Sequence, residues 1–322
     1  MVEGEFAPVA DSWFLTGPTA SGKTRIGIAL AKLLDAEILS LDSMAVYRDM
    51  DIGTAKPTAA ERAEVRHHLL DLASPDQEFS ISQYLAAAHA ALVDVRGRGR
   101  QVLFVGGTPL YLKALLRGLS EGPAADWDFR ESIEREIRET GIEALHERLR
   151  QVDPLAAARL HPHDKRRIIR ALEVNRITGR PLSHSQTHFD EPARGSGNRV
   201  FTLRWPRDRL HQRIETRVEQ MFAAGLVDEA AGLRSRYGTL GRTALQAVGY
   251  REAFEHLDGR LSLAEAVTRV QVRTRQFARR QETWFRGLGE CQPVPLVEEE
   301  SPELIAQRII GGALSDRARG AL

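Results

Sequence analysis

Residues 17–24 read Gly17-Pro18-Thr19-Ala20-Ser21-Gly22-Lys23-Thr24 and match the pattern G-x-x-x-x-G-K-[ST]. Such a turn aims successive backbone N–H groups at one anion, and a helix beginning there adds favourable partial positive charge. Lys23 would then contact the phosphoryl oxygens, and the Thr24 hydroxyl would hold Mg2+. A bound phosphate compound is the chemistry these residue types specify. Its kind is narrowed by the apolar run Gln101–Val105, which ends in Gly106, Gly107 and Thr108. NTP-hydrolysing enzymes place a carboxylate after such a strand to help hold the metal, and none follows here. A hydrolytic motor or switch is thus disfavoured. A small-molecule kinase and an enzyme whose leaving group is a diphosphate both remain open.

Asp42 is the second candidate. It closes the apolar run 37–41 on the sheet edge that also carries the phosphate loop, where open α/β sheets gather their ligands. A carboxylate there could take a proton from a nucleophile held beside the phosphate group. Equally, Asp42 and Ser43 could serve only to cap the loop that follows. His67-His68 and the pair His161/His163 lack Cys partners or an H-E-x-x-H helix, and are read as surface or core histidines.

These groups need a scaffold, and the first hundred residues supply one by alternating in the βα manner. Residues 12–16 and 37–41 read as buried strands. Between them Ile26, Leu30, Leu33 and Leu34 fall at helical spacing. Residues 44–58 form an irregular stretch too long for a mere connector. A helix over 81–96 and a strand over 101–105 complete the pattern of a parallel sheet with helices on both faces. Beyond Gly118 the periodicity predicts helices at 128–140, 142–152 and 164–178 with no strand, then a turn-rich stretch from Gly179 to Asn198. A strand at 199–205 and helices at 207–223, 226–236, 243–257 and 262–287 follow. The expected organisation is an α/β core (1–118), an all-helical insertion (119–198), a mostly helical second part of the core (199–295) and a C-terminal tail (296–322).

The chain has 322 residues, 45 Lys+Arg against 44 Asp+Glu, and one cysteine, Cys291. One cysteine excludes an internal disulfide framework and a Cys-rich zinc site. No apolar run approaches the ~20 residues that cross a bilayer. The acidic N-terminus lacks a secretion signal, so a cytoplasmic setting without membrane attachment is expected. A net charge of +1 argues against a nucleic-acid partner only if the charges are evenly spread. They are not: Arg159 to Arg180 and Arg273 to Arg286 together hold twelve basic residues against three acids. The compensating acids lie elsewhere, notably at the N-terminus and in Glu298-Glu299-Glu300.

The segments GPTASGKT (17–24), LDSMAVYRDMDIGTAKPT (41–58), VGGTPLYLKALLRGL (105–119), DKRRIIRALEV (164–174), ALQAVGYRE (244–252) and TRQFARRQETWFR (274–286) together resemble the tRNA dimethylallyltransferases, also called tRNA isopentenyltransferases. The resemblance runs from about 12 to 290. It implies transfer of the dimethylallyl group of dimethylallyl diphosphate to N6 of the adenine at tRNA position 37, beside the anticodon, with Mg2+ and release of diphosphate. The phosphate loop, commonly taken for an ATP site by its pattern, would hold the prenyl diphosphate through Gly17 to Thr24. Asp42 would be the general base, Thr108 would line the channel where donor and acceptor meet, and Arg217 would help neutralise the diphosphate. Implied tRNA contacts are Asp42, Ser43, Met44, Ala45, Thr108, Arg130, Arg166, Arg167, Ile168, Ile169, Arg170, Gln246, Gly249, Tyr250 and Arg251. Arg273, Arg275, Gln276, Arg279 and Arg280 complete that set.

Ala45 departs from the family, which usually has Gln there, so one side-chain amide able to read a base edge is missing. The Cys/His finger of eukaryotic members is absent, and a bacterial-type monomer fits best. The alternatives are an adenylate isopentenyltransferase acting on free nucleotide, a nucleotide kinase, and a non-catalytic RNA-binding protein. The first two have little need of the helical insertion or its arginines.

Overall fold

The computed structural model describes residues 5–185, 189, 197–297 and 300–320. From the N-terminus it forms β1 (Glu5–Phe6), β2 (Trp13–Thr16), α1 (Lys23–Leu34), β3 (Ala36–Leu41), α2 (Ala59–Glu64), β4 (His67–His68), α3 (Ile81–Gly97), β5 (Gln101–Gly106) and α4 (Pro109–Arg117). Next come β6 (Leu119–Ser120), α5 (Trp127–Thr140), α6 (Ile142–Val152), α7 (Pro154–Arg159), α8 (Lys165–Thr178) and α9 (Leu182–Ser185). The chain ends with β7 (Arg199–Arg204), α10 (Arg207–Ala223), α11 (Leu226–Tyr237), a 3-10 turn at Ala244–Gln246, α12 (Tyr250–Leu257), α13 (Leu263–Arg286), β8 (Gln292–Pro295) and α14 (Pro302–Gly320). Glu298 and Glu299 of the acidic run, and 186–188 and 190–196 of the turn-rich stretch, lie outside the described residues.

Two compact units result. One comprises the described residues up to Pro8 and those of Arg117–Glu191; the other comprises Val9–Leu116 and the described residues from Pro192 on. The larger unit is built on a six-stranded sheet in the order β4-β3-β5-β2-β7-β8, every pairing parallel. A parallel sheet needs crossover helices, which cover both faces, so its strands read as apolar runs without alternation. All four residues of β2 and all six of β3 are buried accordingly. The charged residue of β3, Glu37, is held by Arg98 and by His68 Nε2 at 2.6 Å. That pairing accounts for one member of the histidine pair. No metal-ligand cluster of His, Cys, Asp or Glu occurs among the described residues.

The smaller unit packs Phe129, Ile133, Leu145, Leu149, Ile168, Ile169 and Leu172 from α5, α6 and α8 into its own core. Asp126, Asp153 and Asp164 cap α5, α7 and α8 through side-chain bonds to backbone N–H groups. One pair of strands occurs in the stretch expected to be wholly helical, since Leu119–Ser120 pairs antiparallel with Glu5–Phe6.

Three differences from the sequence reading have local causes. The helix expected over 243–257 is broken: Gly249 sits at φ 110°, and α12 starts only after it. A left-handed φ ends helical geometry whatever the surrounding periodicity. The segment Pro109–Arg117, to which the sequence reading assigned no element, is helical. The stretch after 295, expected as a tail, holds α14, whose Ile305, Ala306 and Ile309 join the core cluster of Ile26, Ile28 and Leu30 on α1. Among the described residues no helix is long and apolar enough to cross a membrane.

Candidate active site

The carboxyl ends of the adjacent central strands β3, β5 and β2 bring Asp42, Gly106 to Thr108 and the phosphate loop to one edge of the sheet. Thr108 ties two of these segments together. Its N–H donates to Leu41 O at 3.1 Å, and its Oγ1 accepts from the Ser43 N–H at 3.0 Å. The missing strand-end carboxylate also has a steric cause. A Cβ at Gly106 would collide with the Leu41 carbonyl of the neighbouring strand, so only glycine fits.

Side chains from outside the loop hold two of its carbonyls and one of its N–H groups. Trp205 Nε1 donates to Ser21 O (3.1 Å), and Arg213 Nε donates to Ala20 O (2.8 Å) while its guanidinium lies 4.5 Å from the Trp205 ring. From α13, Gln281 Oε1 accepts the Thr19 N–H at 2.9 Å, and its Nε2 donates to Gly107 O at 2.6 Å. Thr19 therefore presents no free amide to an anion here. The N–H groups of Gly22, Lys23 and Thr24, at the start of α1, have no acceptor among the described residues, as expected of the first turn of a helix.

Lys23 donates to Gly17 O (2.9 Å) and Pro18 O (2.7 Å). Its pKa is lowered to about 7, chiefly by burial and then by the charge of Arg217, with Asp42 opposing. Burial also holds Arg217 below its ordinary value, again against Asp42. Lys23, Arg217 and Arg213 thus outnumber the one carboxylate near them, and a bound anion would relieve their mutual repulsion. Asp42 is itself fixed: Oδ1 accepts from the Met44 N–H at 2.8 Å and the Ala45 N–H at 3.4 Å, while Oδ2 has no hydrogen-bond partner among the described residues. One oxygen thus caps the loop, and the other meets no hydrogen-bond donor among the described residues.

The long loop after Asp42 is pinned by ion pairs and a backbone nest. Lys56 Nζ, nearly without exposure, donates to Tyr47 O (2.5 Å), Asp51 Oδ1 (2.7 Å) and Asp71 Oδ1 (2.6 Å). Glu229 of α11 accepts the N–H groups of Asp51, Ile52 and Gly53, and also the Tyr250 hydroxyl at 2.6 Å.

Tyr250 is thus a fully buried strut, which corrects its expected place on a tRNA surface. Ile168 and Ile169 are likewise core residues of the smaller unit, and Ala45 and Gly249 are buried. Apolar side chains on an arginine-rich helix gain more from the core than from a polyanion. Of the arginines in that unit, Arg166 and Arg167 are exposed, Arg167 beside Asp164. Arg130 and Arg170 converge on Glu173, which has no exposure and also accepts the Asp126 N–H. Burial pushes the Glu173 carboxyl up, but bonds from Arg130, Arg170 and Asp126 outweigh this and hold it below the usual range.

In the larger unit Gln276, Arg279 and Arg280 lie exposed on α13, where Phe277 is also 37% exposed. Arg273 pairs with Glu252, and Arg275 with Glu215. Gln246 and Arg251 are exposed near α12, Arg251 paired with Glu255. The sequence reading missed Gln281, Trp205, Arg213, Lys56, Glu229 and Glu173 as supports. Only Glu173 carried a local signal, as an acid inside a basic run.

A six-stranded parallel sheet covered by helices, whose central strand passes into a helix through a G-x-x-x-x-G-K-T turn, defines an α/β protein with a phosphate-loop motif. The sequence matches the IPP transferase family over residues 45–288. It is 50% identical over 311 residues to the tRNA dimethylallyltransferase of Rhodopirellula baltica, covering 94% of this chain and 93% of that one. With that of Roseiflexus castenholzii the identity is 47% over 292 residues, covering 90% and 94%. The chain belongs to the IPP transferase family, that of the tRNA dimethylallyltransferases. Among solved structures, the tRNA isopentenylpyrophosphate transferase of Bacillus halodurans superposes with a TM-score of 0.68 at 37% identity, covering 96% of this chain and 98% of that one. A eukaryotic dimethylallyltransferase solved acting on tRNA shares the fold, with a TM-score of 0.79 at 24% identity, covering 96% and 79%.

The lowered Lys23 pKa has a measurable consequence. A bound diphosphate favours the ammonium, so the pKa rises on binding, and above pH 7 binding must take up a proton. Calorimetry with an alkyl diphosphate at pH 8, in two buffers of different ionisation heat, should show uptake approaching one proton. Uptake should vanish near pH 5.5 and in Lys23→Arg.

Proposed function

We propose that this chain transfers the dimethylallyl group of dimethylallyl diphosphate to N6 of the adenine at tRNA position 37, next to the anticodon, releasing diphosphate. The observation that carries the reading is the half-buried pair Lys23 and Arg217, with Asp42 near enough to oppose the lowering of both pKa values. An exocyclic adenine amine is a poor nucleophile, because its lone pair is delocalised into the ring. The electrophile must therefore be made better. As the bond from the allylic carbon to the diphosphate oxygen breaks, the carbon gains resonance-stabilised positive charge, and the departing oxygens take the electron pair. Lys23, Arg217 and the N–H groups at the start of α1 stabilise that growing negative charge. N6 bonds to the allylic carbon, and Asp42 Oδ2 takes the proton that becomes acidic as N6 alkylates.

The donor set also fits Mg2+, which keeps several waters and binds through substrate phosphates and few protein groups. The Thr24 hydroxyl, at the second residue of α1, is the protein ligand in this reading. The ion would add charge neutralisation on the diphosphate. The exposed arginines, Arg166 and Arg167 in the smaller unit and Arg279 and Arg280 in the larger, take the phosphates of the anticodon stem-loop. A loop nucleotide is already partly unpaired, so its extrusion toward the donor costs only a few kcal/mol.

The direct test offers labelled dimethylallyl diphosphate to unmodified tRNA and to free AMP. Label should enter tRNA alone, whereas label in AMP alone would replace this reading with an adenylate isopentenyltransferase. Asp42→Asn should lower kcat by about 10²-fold or more with tRNA affinity within a factor of two, measured by single-turnover kinetics and filter binding. An equal loss of binding would make the role of Asp42 structural. Arg166→Ala should weaken tRNA binding and reduce the slope of log affinity against log salt by about one.

A further inference from the structure

Gln281 lies on the buried side of α13, 4% exposed, and spends both ends of its amide on two segments of the site. Oε1 accepts from the Thr19 N–H in the phosphate loop, and Nε2 donates to Gly107 O at the end of β5. The next residue, Thr108, bonds Leu41 O and the Ser43 N–H on either side of Asp42. One uninterrupted chain of hydrogen bonds therefore runs from the donor loop through Gln281 and Thr108 to the segment that carries the base. The space is closed around it: a Cβ at Gly107 would lie 2.7 Å from Gln281 Nε2, 3.2 Å from Gly17 O and 3.4 Å from Lys23 Nζ.

We infer that Gln281 is a positioning residue for the transfer, setting the spacing between the diphosphate loop and the Asp42–Thr108 edge, and with it the distance between the allylic carbon and N6. This rests on the activity proposed above. No other side-chain group among the described residues accepts the Thr19 N–H. The strand pairing of β2 and β5 ends at Thr16 and Gly106, so beyond it the two segments have no sheet hydrogen bonds to hold them in register. Transfer between two bound substrates depends steeply on that register, because a misplacement of about 1 Å can lower the rate by ~10²-fold.

Two variants test this. Gln281→Met keeps the side-chain length and removes both bonds. Gln281→Glu keeps an acceptor for Thr19 but has no donor for Gly107 O. Both should lower kcat at least tenfold per folded molecule while tRNA affinity stays within twofold. Amide hydrogen exchange across residues 17–22 should quicken in Gln281→Met and stay near wild type in Gln281→Glu. Wild-type kcat in either folded variant, or a loss that only follows the folded fraction in a melting assay, would overturn the role of Gln281. If Gln281→Met does not fold, Gln281→Glu decides alone by its kcat. Absence of transfer by the wild-type chain would instead refute the activity, which keeps the two failures distinct.

Discussion

Cations that outnumber the one carboxylate beside them govern this structure. Burial lowers the pKa of both Lys23 and Arg217; the charge of Arg217 lowers Lys23 further, the charge of Arg213 does the same to Arg217, and Asp42 opposes both shifts. Such an arrangement is costly until a multiply charged anion arrives. The site is therefore electrostatically incomplete by itself, and in the proposed reaction a diphosphate completes it. The same excess of positive charge would then stabilise the negative charge that grows on the leaving group as the carbon–oxygen bond breaks.

Holding that arrangement falls to residues that never touch the anion. An anion loop works only if its N–H groups converge, so its carbonyls must be occupied elsewhere. Trp205 and Arg213 take the carbonyls of Ser21 and Ala20. The loop after Asp42 needs its own supports, because it has no strand or helix to satisfy its backbone. Glu229 takes three of its N–H groups, and Lys56 joins Tyr47 to two carboxylates.

A net charge near zero is compatible with a polyanionic partner because the arginines are sorted by role. Arg130 and Arg170 are tied to the buried Glu173 and order the smaller unit as well as presenting charge. Arg166 and Arg280 are exposed and free of carboxylates among the described residues. Ion pairs that fix a side chain reduce its conformational cost on binding, whereas exposed cations contribute through counterion release. Charge counted along the sequence weighs these two kinds equally.

The phosphate-loop motif, the strands of the central sheet before and beside it, Asp42 at its strand end and the three longer helices of the smaller unit (α5, α6 and α8) were legible in the sequence, because each obeys a rule that spans only a few residues. A G-x-x-x-x-G-K-T turn, a buried apolar run and a 3.6-residue period are local requirements of the backbone. The tertiary structure alone decided which residues complete the site. Gln281 meets Thr19 across 262 positions of sequence, and Glu229 meets Ile52 across 177. It also decided that Ile168, Ile169 and Tyr250 belong to the core, and that the last described helix closes over α1. The physical reason is common to all of these. Burial and long-range hydrogen bonds depend on which elements pack together, and that partnership is a property of the whole fold that no short stretch of chain encodes.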